Sequence, residues 1–191
     1  MRTISGAGAA LICAGSPSVS TAILESLAAF GEPALAFAAK HRIRIVALAR
    51  AERYRDVSAS LRRLGVDVDA WPVPPAGLFV VEERTVYLRS ASPMTVAHEF
   101  AHGLDCALGG GVYRSGYDGT IRRSFSNARA FVTPYAATGL DEYFAECMRA
   151  FVEVNDASSA WPRATRERLR ELDLPMCDYL TALFATELNA R

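Results

Sequence analysis

Two of the three histidines in this chain stand four residues apart, in His98-Glu99-Phe100-Ala101-His102. Residues at that spacing share one face of a helix, about 6 Å apart along its axis. Two imidazoles so placed can both reach one zinc ion. Glu99, beside the first of them, can reach a water that the ion activates, and a zinc-activated water has a pKa near about 7. A carboxylate can then act as its general base. His41, the remaining histidine, lies between Lys40 and Arg42 and reads as a solvated flank. Cys106 follows His102 by one turn. It reads as a packed thiol, because a fourth protein ligand would close the site to water.

A hydrolytic zinc site takes a third protein ligand and keeps one position open. Glu142 and Glu146 supply two candidates one helical turn apart, beside an apolar stripe of Leu140, Phe144, Cys147, Met148 and Phe151. One carboxylate can bind the ion while the other accepts the second ring N–H of a histidine ligand. Thr138 and Asp141 resemble a capping box, which predicts a helix from there to about Val154. Tyr135 has chemistry of its own, since a phenol can donate to a developing oxyanion without moving a charge. Asp105 reads as a structural brace of the first helix.

Taken together, His98-Glu-Phe-Ala-His-Gly-Leu-Asp105, Tyr135 and Glu142-Tyr-Phe-Ala-Glu146 resemble the catalytic domain of anthrax lethal factor and the related secreted Pro-Pro endopeptidases. Those are zinc metallopeptidases of the gluzincin type. The resemblance implies one zinc ion held by His98, His102 and Glu142, with Glu99 as general base. It also implies Tyr135 on the oxyanion and Glu146 behind a histidine ligand. The implied fold is α+β and zincin-like. A small mixed or antiparallel sheet packs on the HExxH helix and on a second, glutamate-bearing helix, with further helices at both ends.

The implied activity is hydrolysis of a protein or peptide bound in extended form, by a secreted enzyme or toxin. The match is dense over residues 94–154 and only general over the first 75. Ala101 and Gly103 stand where the family usually has Gly and Ala; Gly103 costs the helix about 1 kcal/mol relative to Ala. The features that set cleavage specificity in either branch have no match, so the substrate does not transfer. Two other readings stand beside this one. One is a catalytically silent, zinc-stabilised interaction domain; the other is a zincin of another branch in which Glu146 binds the ion.

Several elements must position these residues. Ser92 and Pro93 are a good start for a helix running to Leu108. Just before it, residues 78–81 and 85–88 read as a hairpin turning at Glu82-Glu83-Arg84. Its second strand, 85–89, is expected to be the edge that receives substrate. Residues 17–40 predict one or two helices broken at Gly31-Glu32-Pro33, and 42–49 a strand. Residues 51–64 read as a helix ending at Gly65, and 66–70 as a further strand. Residues 109–127 read as a flexible loop, either a lid or a linker. Helices are expected from Pro162 and around Leu180 to Leu188.

Composition sets the outer bounds. The 191 residues carry 21 basic and 21 acidic side chains, which argues against a dedicated nucleic-acid binder. Half the chain (51%) is apolar, without the run of about 18 that a membrane-spanning helix needs. Cys13, Cys106, Cys147 and Cys177 are scattered and are expected to be buried free thiols. Arg2 and the stretch Ile4 to Ala14, broken by Gly6 and Gly8, make 1–16 a flexible start or a weak signal-like segment compatible with export. The rest, 17–191, is expected to be a single domain. Helices and sheet fill it to residue 90, and mainly helices follow from 91.

Overall fold

The computed structural model describes residues 6–159 and 163–189. The chain opens with α1 (Gly6–Leu11) and β1 (Ile12–Ala14), continues through α2 (Pro17–Leu27) and α3 (Glu32–Lys40), and enters β2 (Arg44–Ala47). Ser16 caps α2 and Pro17 begins it; Gly31, at a φ of 80°, separates α3 from the turn before it. The expected break between two helices is therefore present. The expected flexible start is corrected in part. From Gly6 onward the segment is regular, Leu11 is fully buried, and β1 pairs in parallel with β2.

Residues 51–70 depart from the strand–helix–strand expectation. The helix is split into α4 (Tyr54–Val57) and α5 (Ala59–Leu64) by an extended Ser58. The Ser58 hydroxyl caps α5 through Leu61 N–H and donates to Glu83. Gly65 ends α5 in the left-handed region, as expected. Residues 66–70 do not become a strand because their acids are engaged elsewhere. Asp67 pairs with Arg53 and Arg55, while Asp69 pairs with Arg89 and accepts Tyr54 N–H. The segment folds into a 3-10 turn at Val68–Ala70.

The hairpin forms as expected from β3 (Gly77–Val80) and β4 (Thr85–Leu88), turning through a left-handed Arg84. The strand order is β1-β2-β4-β3, parallel except for the last pair. Leu88 pairs with Ala47 on one side and Gly77 on the other. β4 is thus an interior strand with every residue buried. The expectation that 85–89 is the substrate-receiving edge is overturned: the edge is β3, whose outer side has no strand partner among the described residues.

α6 (Pro93–Leu108) carries both histidines of the motif. Ser92 caps it, Pro93 starts it, and Asp156 accepts Met94 N–H at 2.8 Å. Gly103 is explained by packing. A Cβ there would stand 3.0 Å from Ile43 Cγ2, so the missing side chain lets α6 lie close to the chain entering β2. Residues 109–127 are not a long loop. Asp105 accepts from Ser115 N–H and Oγ, pinning the turn, and α7 (Gly119–Asn127) follows under an Asp118 cap.

α8 (Leu140–Phe151) begins one residue later than predicted. Gly139 stands at its cap, and Thr138 donates to the Tyr135 carbonyl instead. It ends before Val154, because Glu153 turns left-handed and Val154 N–H returns to the Arg149 carbonyl. α9 (Arg166–Leu172) starts from a Thr165 cap; Pro162, the expected start, lies outside the described residues. α10 (Leu174–Ala185) follows from an Asp173 cap, and Leu188 is buried in the turn after it. Among the described residues no single helix is long and apolar enough to cross a membrane. All four cysteines are free; Cys106, Cys147 and Cys177 are buried as expected, but Cys13 is exposed.

The fold is therefore α+β, with a small four-stranded mixed sheet against a helical body. Asp105, the brace of α6, is fully enclosed. Burial pushes its carboxyl up to about 6, and the Ser115 hydrogen bonds only partly oppose this. A carboxyl raised in the folded state binds its proton more tightly there. It therefore favours folding at low pH, and that contribution is lost as pH rises through about 6. Relative to Asp105→Asn, the wild type should gain about 2 kcal/mol of stability between pH 7.5 and 4.5. Denaturant melts of both proteins at the two pH values measure this; a pH-independent difference would show that Asp105 titrates normally.

Candidate active site

α6 and α8 pack against each other and bring the two halves of the motif together. His98 Nε2 lies 2.9 Å from Glu142 Oε2, His102 Nε2 lies 3.3 Å from the same oxygen, and the two Nε2 atoms are 3.1 Å apart. Three lone-pair atoms from two helices thus face one point. Ligand atoms about 2.0–2.1 Å from a tetrahedral centre lie about 3.3 Å from one another, close to the spacing seen here. Glu142 Oε2 is buried yet makes no hydrogen bond of acceptable geometry, despite its close neighbours. That orphaned oxygen is what a cation seat requires. His98, His102 and Glu142 form a group able to hold a metal ion.

Glu146 lies outside this group. Its Oε1 takes the other ring nitrogen of His98, Nδ1, at 2.9 Å. Since a carboxylate only accepts, Nδ1 carries a proton, which leaves Nε2 as the ring nitrogen turned toward Glu142. Burial would lower the His98 pKa, but Glu142 and Glu146 more than offset it and raise it to about 10. Burial would likewise raise the two carboxyls. His102 and His98 hold Glu142 far below the ordinary carboxylate range, and His98 and Arg149 do so for Glu146. The cluster thus attracts positive charge, and the same atoms could hold a metal ion.

Glu99 sits on the adjacent face of α6, 8% exposed. Burial pushes its carboxyl up; His98, His102 and the Phe79 backbone oppose this without reversing it. β3 runs directly against it, since a Cβ on Gly77 would stand 2.5 Å from Glu99 Cγ. Only glycine allows the sheet edge to approach the acid so closely. Tyr135 lies across the cluster, 44% exposed, and donates to Glu142 Oε1 at 3.1 Å. Burial and the Glu142 charge raise its pKa, so it stays a protonated donor near neutral pH.

A groove of about 690 Å³ opens along this face. Trp71, Val73, Pro74 and Met94 form its apolar wall, and His98 and Glu99 lie at its base. All six residues expected at the site, His98, Glu99, His102, Tyr135, Glu142 and Glu146, are therefore gathered. Others carried little signal in the sequence. Thr133 donates to Glu146 Oε2 at 2.6 Å, and the Tyr113 ring rests 5.6 Å from the His102 ring. Arg149, three residues after Glu146, forms an ion pair with it. That spacing alone signals only an ordinary helix pair.

No family model and no curated protein sequence matches the chain. Its fold does have a solved counterpart. The chain is similar to the Pro-Pro endopeptidase (PPEP-2) from Paenibacillus alvei, with a TM-score of 0.67 and 17% sequence identity. The likeness covers 94% of this chain and 100% of that one. It bears out the expected fold.

The geometry separates the two carboxylates by the ring nitrogen each meets. Glu142→Ala should lose tight zinc binding, whereas Glu146→Ala should keep it, weakened by roughly 10–100-fold. Titration with zinc against a competing chelator measures both; the opposite ranking would make Glu146 the ligand.

Proposed function

We propose that the chain is a metal-dependent endopeptidase, with one zinc ion held by His98, His102 and Glu142. The observation that carries this reading is the convergence of three ligand atoms, two from α6 and one from α8, beside a buried acid. The donor set of two imidazoles and a carboxylate suits zinc and leaves a position open. When bound, the ion supplies a Lewis acid for the scissile carbonyl and a more acidic water.

The chain's own residues do the rest. Glu99, poised by burial above the usual carboxylate range, takes a proton from water and later passes it to the leaving nitrogen. Tyr135, still a phenol near neutral pH, donates to the oxyanion. Its present acceptor, Glu142 Oε1, holds the hydroxyl beside the cluster. Glu146 holds His98 through Nδ1, so Nε2 turns toward His102 and Glu142, where a metal ion would be held. An extended peptide would pair with the open side of β3, which borders both Glu99 and the groove. That the Paenibacillus alvei neighbour is an endopeptidase by name supports a peptide as the substrate class.

The rival reading, a silent zinc-stabilised domain, makes the same metal site without the acid–base chemistry. Glu99→Gln should keep zinc and thermal stability while cleavage falls by about 10²–10⁴-fold. A peptide-library digest read by mass spectrometry tests this. A zinc-loaded wild type that cuts no peptide in the library would favour the silent domain. In the same assay Tyr135→Phe should lower kcat by about 10²-fold with little change in KM; an unchanged kcat would remove Tyr135 from the mechanism.

A further inference from the structure

Arg149 is the largest fully enclosed side chain described, 1% exposed, and it is among the residues that line the groove. Its Nε donates to Glu146 Oε1 at 3.0 Å and its Nη2 to Glu146 Oε2 at 2.8 Å, a two-pronged grip on the carboxylate. Thr133 adds a third bond to Oε2, and His98 Nδ1 completes the set on Oε1. Glu146 therefore has about four donors for its roughly four lone-pair sites. Its carboxylate plane cannot turn without breaking several bonds at once. A buried ion pair is a poor way to stabilise a fold, because desolvation offsets the attraction. Orientation is what this one provides.

The far end of Arg149 is anchored too. Nη1 donates to the Val154 carbonyl at 3.0 Å and to Asn155 Oδ1 at 3.2 Å. Asn155 in turn holds Ala164 through both N–H and carbonyl, at 2.9 Å each. The next residue, Asp156, accepts Met94 N–H at the start of α6. The turn after α8 thus holds Arg149, Arg149 holds Glu146, and Glu146 sets the ring of His98.

We infer that Arg149 is a positioning residue for the metal centre, fixing the plane and tautomer of His98 through Glu146. The inference rests on the metal-site reading above and goes beyond it by naming what locks the ligand. Lysine cannot replace it, because a point ammonium cannot hold both carboxylate oxygens in one plane.

The test uses the full chain loaded with zinc or with cobalt(II), whose visible spectrum reports ligand geometry. Arg149→Lys should keep its circular dichroism, bind zinc roughly 10-fold or more weakly, and show an altered cobalt spectrum. Asn155→Ala, which removes only the outer anchor, should shift both readouts the same way by less. A core variant with a matched loss of melting temperature, Leu180→Ala, should leave the cobalt spectrum unchanged. Wild-type zinc affinity and spectrum in a folded Arg149→Lys would overturn the inference while leaving the metal site standing. Should Arg149→Lys fail to fold, Asn155→Ala decides between the outcomes: a shifted spectrum supports the inference and an unchanged one overturns it. A wild type that takes up neither ion overturns the metal-site reading itself, and this role with it.

Discussion

Everything at the site depends on the register between α6 and α8. Each helix carries an apolar seam with no exposed surface, Ala97, Phe100, Ala101 and Leu104 on one and Phe144, Ala145 and Met148 on the other. Interdigitated seams have discrete positions rather than a sliding contact. A slip of one residue would move Glu142 by about 1.5 Å along its helix, enough to break a convergence whose interatomic distances are 2.9–3.3 Å. Apolar packing thereby sets the geometry of a polar centre. The sheet contributes to the same end. Gly103 lets α6 settle against Ile43, and Gly77 lets β3 settle against Glu99.

That centre is a concentration of charge in a place where charge is costly. Glu99, Glu146 and Arg149 are nearly or fully enclosed, and His98, His102 and Glu142 are largely so. Groups like these persist inside a protein only when each finds partners. Glu146 finds four, Arg149 finds three acceptor groups, and His98 Nδ1 is held by Glu146. His102 Nδ1 and Glu142 Oε2 are the exceptions at the site, buried and without a well-formed hydrogen bond. The oxygen faces two imidazole nitrogens at close range. An acceptor left over in that position belongs to a group that could hold a metal ion.

The open side of the molecule follows from strand order. With β4 enclosed between β2 and β3, the hairpin edge left open among the described residues is β3. The groove wall is then built from the chain that leads into β3, the exposed and proline-rich segment from Trp71 to Pro75. Prolines there present no N–H for pairing and hold the backbone stiff. The wall keeps its shape beside a strand whose outer side has no strand partner among the described residues.

The sequence by itself determined the local chemistry. The spacing of His98 and His102 puts them on one helix face, Glu142 and Glu146 fall one turn apart, and Ser92-Pro93, Gly31 and Gly65 mark element ends. These are short-range facts, set by helix pitch and by which backbone angles a residue tolerates. Only the tertiary structure decided the rest. Whether Asp67 and Asp69 lie in a strand or bind arginines depended on Arg53, Arg55 and Arg89 arriving beside them. Which strand became the edge depended on β2 pairing with β4 across a long crossover. Which glutamate meets Nε2 and which meets Nδ1 depended on the packing of α6 on α8. Such outcomes are competitions between distant segments for the same partners, and the free energy that settles them belongs to no single stretch of chain.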